Sequence, residues 1–223
     1  MAQSVERRLG KAEVGGSSPL GSFTQNPWKI KGSFLFSKNT SISFFPVYTI
    51  FMKGVLMKTV KSYTIFGFFF VSLVGCIWHF VYGWSGNNPV LAPFFPINES
   101  TWEHMKLLFF PMLLFTFVPL SNRSSLKPVF FPAWCSGILI GTCSIPVLFY
   151  TYTGVLGFHT LFLDIALFFL SVFLAFFNFY RLFVSGKNLG KFPVFFLLLL
   201  FFLFIVFTYI PPSLPLFENP SSI

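Results

Sequence analysis

Residues 192–210 read FPVFFLLLLFFLFIVFTYI, nineteen positions without a single charge. Crossing the hydrocarbon layer of a bilayer takes a helix of about 20 such residues. Comparable runs occupy 63–82, 101–120, 129–152 and 160–183. A soluble fold has no use for five of them, so the chain reads as an all-α, polytopic membrane protein with about five transmembrane helices. Charged residues make up 9% of the 223 positions, against about 25% in soluble domains, which excludes an ordinary soluble enzyme. The formal charge of +9 is scattered between apolar runs, a membrane pattern, so the partner it implies is the lipid bilayer and not nucleic acid. Three cysteines, all inside apolar runs and without CxxC spacing, exclude a disulfide scaffold.

The first 22 residues, MAQSVERRLGKAEVGGSSPLGS, are polar and Gly/Ser-rich and stand outside this pattern. Read back through the genetic code, residues 2–7 and 15–19 can be encoded by sequences that resemble the D arm and T arm of a transfer-RNA gene. We therefore read 1–22 as a disordered translated leader, 23–56 as spacer, and 57–223 as the transmembrane domain, with a natural start at Met52 or Met57. Such a leader is set aside in fold reasoning.

The connectors set the orientation. Lys53, Lys58 and Lys61 precede the first span, Arg123 and Lys127 separate the second from the third, and Arg181, Lys187 and Lys191 separate the fourth from the fifth. Connectors 83–100 and 153–159 and the tail after Ile210 carry no Lys or Arg. By the positive-inside rule this predicts an N-terminus inside and a C-terminus outside. Span five should face lipid. Spans one, three and four carry small or polar residues at helical spacing: Ser72, Gly75, Cys76 and His79; Gly137, Gly141 and Ser144; Asp164, Ser171, Ala175 and Asn178. Those stripes predict helix–helix contacts. Pro111 and Pro146 are expected to kink spans two and three.

With this topology every histidine, and every acid beyond the leader, falls at one end. His79 closes span one, Glu99, Glu103 and His104 open span two, and His159 and Asp164 open span four, with Glu218 on the tail. The run NESTWEH at 98–104 holds an S-x-x-E capping box, with Ser100 as N-cap and Glu103 at N3. Glu103 can also pair with Lys106 at i, i+3. The chemical reading of the same residues is a site in which Glu103 serves as acid/base and His79, His104 and Asp164 as metal ligands. Glu99, His159, Asn87, Asn88 and Asn98 complete the polar cluster. Carboxylate and imidazole ligands suit a transition metal such as zinc, manganese or iron, and the same groups can relay protons. The cofactor itself is left open.

Three stretches give the chain a family likeness: His79-Phe80-Val81-Tyr82, Trp84-Ser85-Gly86-Asn87-Asn88 and the NESTWEH run. With PVLFYTYTG at 146–154 and Pro211-Pro212 ahead of Pro215-Leu216-Phe217, they make the chain similar to a family of small bacterial integral-membrane proteins of unknown function. The resemblance covers about 57–220. It implies the membrane fold and a bacterial cytoplasmic-membrane location, and it brings no activity with it.

Three functions stay open at this level. The first is a metal-dependent membrane hydrolase acting on a lipid or envelope substrate. The second is a small permease or proton-coupled transporter using the stripe of Asp164, Ser171 and Asn178. The third is a non-catalytic membrane subunit, in a homo-oligomer or with a membrane partner. The sequence contains no Walker loop, GxGxxG, GxSxG or HExxH.

Overall fold

The computed structural model describes residues 46–118, 123–187 and 189–220; the leader and most of the spacer lie outside them. Among the described residues there are five α-helices and no strand. In chain order they are α1 (Pro46–Trp84), α2 (Thr101–Phe115), α3 (Arg123–Leu156), α4 (Leu161–Ser185) and α5 (Phe192–Tyr209), with a short 3-10 turn at Pro215–Phe217. Four are long and apolar enough to cross a membrane: α1 over Met57–Trp84, α3 over Val129–Leu156, α4 and α5. The protein is therefore built for a membrane, where a helix meets lipid with its backbone hydrogen bonds satisfied internally.

The second span departs from expectation. α2 ends at Phe115 instead of continuing to residue 120, and at about 1.5 Å per residue its 15 residues fall short of the hydrocarbon thickness. The hydroxyl of Thr116 returns to the carbonyl of Met112 and accepts the indole N–H of Trp134 at 2.9 Å, and the chain turns over 116–118. α2 is instead the centre of the bundle: Leu108, Phe109, Met112 and Phe115 are fully buried. α1 also begins earlier than expected, at Pro46, inside the stretch read as spacer.

Successive helices run in opposite directions. Tyr63, early in the apolar part of α1, meets Phe115 at the end of α2 with ring centroids 4.8 Å apart, while His79 near the end of α1 meets His104 near the start of α2 at 5.5 Å. The end of α3 reaches the start of α4 through Tyr152 and Asp164, and the end of α5 reaches α2 through Thr208 and Lys106. One end of the bundle thus gathers the acids and histidines. Lys58, Lys61, Arg181, Lys187 and Lys191 belong to segments at the other.

Lipid tails are as apolar as leucine, so helix pairing in a bilayer rests on close packing and hydrogen bonds. A Cβ added to Gly137 would sit 2.8 Å from the Ala175 carbonyl oxygen, and one added to Gly141 would sit 2.5 Å from the Ala175 Cβ. Those two glycines, one turn apart on α3, are what lets α4 approach. Asn178 donates to the Ser136 hydroxyl at 3.1 Å across the same seam. Gly75 likewise admits Phe168 and the Leu107 carbonyl against α1. Towards the basic end the seam is filled by Trp134, ringed by Phe115, Phe130, Phe176 and Phe179. α5 buries Phe204 and Thr208, with Phe201 and Phe207 packed inward beside them, and it presents Phe195, Phe196, Leu198 and Phe202 outward, as its sequence predicts.

Candidate metal site and the cavity beside it

Local chemistry fixes the start of α2. Ser100 takes the N-cap position with extended backbone, and its hydroxyl accepts the Glu103 N–H at 3.4 Å. Asn98 anchors the approach by accepting the Ser100 N–H at 2.9 Å. Glu103 then points inward. Its Oε2 accepts the Ile97 N–H at 3.0 Å and pairs with the Lys106 ammonium at 2.7 Å, both side chains being buried. Lys106 spends its other two hydrogens on the Ala92 carbonyl at 3.0 Å and the Thr208 hydroxyl at 2.7 Å. A buried ammonium is tolerable only when its donors are satisfied in this way. The expected acid/base is therefore held in a structural knot that ties the 85–100 loop and α5 to α2.

That loop is folded onto the bundle. Trp78 donates to the Phe94 carbonyl at 2.8 Å and stacks on Phe95, and Tyr209 donates to the Pro89 carbonyl at 2.9 Å. Asn87 supplies the turn with φ of 59°, and Asn88 accepts the Val90 N–H at 3.0 Å. The three asparagines shape backbone here. Trp102 is packed among Phe204, Phe207 and Phe217, so the C-terminal tail closes over the start of α2.

Outside this knot, three side chains converge. Glu99 Oε1 lies 3.6 Å from His79 Nε2, and Glu99 Oε2 lies 3.5 Å from His104 Nε2. One ligand atom from each residue falls within 4.8 Å of the others. Three ligands each about 2.0–2.1 Å from a tetrahedral ion stand about 3.3–3.4 Å apart, a spacing these groups reach with small side-chain shifts. His104 Nδ1 faces the Ser100 carbonyl at 2.9 Å. A carbonyl only accepts, so Nδ1 carries the hydrogen, and in the neutral ring Nε2 offers its lone pair to the carboxylate side. That lone pair and the Glu99 carboxylate, 3.5 Å apart, are two acceptors that a single cation can join. The carbonyl contact is the outer-shell bond that typically fixes the tautomer of a metal-ligating histidine.

Asp164 stands elsewhere. It accepts the Tyr152 hydroxyl and lies 3.4 Å from His159 Nδ1, at the junction of α3 and α4. Between this pair and the His104–Glu99 side is a cavity of about 290 Å³. Glu99 and His104 border one part of it and His159 and Asp164 another; Leu107, Ile145, Phe149, Leu167 and Phe168 make it apolar inside, and Pro220 of the tail contributes to its edge. The expected ligand set is thus divided: His79 and His104 come together with Glu99, while Asp164 joins His159 and Tyr152. Glu103 is not among the residues bordering the cavity. Tyr152 lies in the PVLFYTYTG stretch, but only the α3–α4 crossing shows that it meets Asp164.

Against known proteins, residues 52–222 match the model of a family of unknown function, DUF6512. No curated protein and no solved structure matches the chain.

Proposed function

The chain belongs to the DUF6512 family, whose function is unknown, and we propose from its own geometry that it is a membrane-embedded, metal-dependent hydrolase. The substrate class is an amphiphile, a lipid or envelope precursor, and the site opens at the extracytoplasmic end. The observation that carries this reading is the meeting of His79, Glu99 and His104 at ligand spacing beside a cavity with an apolar interior and a second carboxylate. Two imidazoles and one carboxylate with remaining positions open form a catalytic donor set, not a closed structural one.

A bound zinc-type ion supplies a water acidic enough to act as nucleophile near neutral pH. The chain supplies the rest. Asp164, held by Tyr152 and faced by His159, is the group placed to take or return a proton from across the cavity. Leu107, Phe149 and Phe168 receive the apolar part of the substrate and keep bulk water from it. The transporter reading draws less support, because Asn178 is engaged with Ser136 in helix packing.

The test is a panel of chromogenic acyl esters, amides and phosphoesters presented in mixed micelles to zinc-loaded protein. We expect hydrolysis of one class, abolished by chelator, restored by zinc, and reduced about 10²- to 10⁴-fold by Asp164→Asn. Zinc-loaded protein that leaves every class intact would overturn the hydrolase reading.

A further inference from the structure

We propose that the basic end of the bundle carries a binding site for one anionic glycerophospholipid, in a groove between α1 and α4. Lys61, Thr64, Ile65 and Phe68 form one wall and Phe173, Phe176, Phe177 and Tyr180 the other. Each set follows i, i+3, i+4, i+7, so each is a single helical stripe. The two helices are antiparallel and touch where Gly67 meets the Phe176 ring. Lys61 therefore lies level with Tyr180 at the mouth, and Phe68 lies level with Phe173 at the deep end. The rise from Lys61 to Phe68, and from Phe173 to Tyr180, gives a slot about 10 Å long at about 1.5 Å per residue, running from the polar mouth into the hydrocarbon layer.

The groove's position names its occupant. Ile65, Phe173 and Phe177 are about half exposed on spanning helices, so the groove opens sideways to lipid and an acyl chain fills it. The mouth then selects the headgroup. Lys61 is exposed and has no ion-pair partner among the described residues, and the Tyr180 hydroxyl is likewise without a hydrogen-bond partner there. The Arg181 guanidinium lies 5.7 Å from the centre of the Phe177 ring, over the same wall. The acids of the described residues, Glu99, Glu103, Asp164 and Glu218, belong to the opposite end of the bundle, so none of these four neutralises the two cations. Two cations and a phenolic donor over an aromatic slot match a lipid phosphate with net negative charge. Each basic residue near a membrane surface favours an anionic lipid about fivefold.

The full chain, reconstituted in phosphatidylcholine vesicles, is probed by electron spin resonance with spin-labelled phosphatidylglycerol and, separately, spin-labelled phosphatidylcholine. We expect motionally restricted phosphatidylglycerol to exceed phosphatidylcholine about fivefold or more. Lys61→Gln/Arg181→Gln should abolish that excess while leaving phosphatidylcholine unchanged. Ile65→Trp, which fills the slot and keeps both charges, should also lose it. Equal restriction of the two lipids by the parent chain would overturn the proposal, as would an excess that survives the charge-neutral variant. An excess that persists in Ile65→Trp would place the lipid on the open surface and not in the groove.

Discussion

At the residue scale the most consequential pair is Glu103 and Lys106. Sequence spacing shows that they can meet, but it also makes Glu103 an attractive catalyst, because a carboxylate beside a histidine at a helix start looks reactive. Burial decides between the two. Lys106 is the one basic residue within the acid-rich end of the described chain, and once α2 sinks into the centre of the bundle its ammonium takes Glu103, the Ala92 carbonyl and Thr208 together. Removing one partner leaves the other charged and buried. Lys106→Met should therefore destabilise the protein by about 3–5 kcal/mol, and Lys106→Met/Glu103→Gln by clearly less. Thermal unfolding in detergent checks this; equal losses for the single and double variants would contradict the knot. Glu99 gives the opposite lesson. It lies just before the N-cap, outside the helix, and only the fold of the loop turns it towards His79 and His104.

At the element scale the helices are legible because their composition leaves no alternative. α3, α4 and α5 lie close to the expected spans, and the small-residue stripe of α3 does meet that of α4. Caps sharpen the ends: Thr160 accepts the Leu163 N–H at the start of α4, and Gly186 closes it with φ of 64°. What hydropathy cannot show is that α2 is a buried helix of 15 residues, since an apolar run reads alike whether lipid or protein surrounds it. The same limit hides Tyr152 and the α1–α4 groove. The Gly141 contact gives a direct test of the α3–α4 seam. Gly141→Ala forces a methyl against Ala175 and should cost about 1–3 kcal/mol. Gly154→Ala, with nothing within 4 Å of the new Cβ, should be neutral or mildly stabilising, because alanine favours a helix over glycine by about 1 kcal/mol. Equal melting temperatures for the two variants would contradict the close packing.

At the scale of the whole molecule the charges divide along the bundle axis. The acids and histidines gather at the end formed by the 85–100 loop, the α3–α4 turn and the tail, while the connector from α4 to α5 carries Lys187 and Lys191. We infer from the positive-inside rule that the acidic end is extracytoplasmic. In a chain whose three cysteines are replaced by alanine, Asn88→Cys should react with an impermeant maleimide in intact cells, and Lys187→Cys only after permeabilisation. The reverse labelling would invert the topology and move the site to the cytoplasm.

The measurement closest to the central claim is elemental analysis of detergent-purified, zinc-equilibrated protein beside a His79→Ala/His104→Ala variant, with size exclusion confirming that both are monodisperse. The account predicts about one zinc per parent chain and its loss in the variant. A monodisperse parent that retains no metal, or a variant that retains as much as the parent, would contradict it; Glu99 would then be only a polar neighbour of the two imidazoles, and no metal chemistry could be assigned to this end of the bundle.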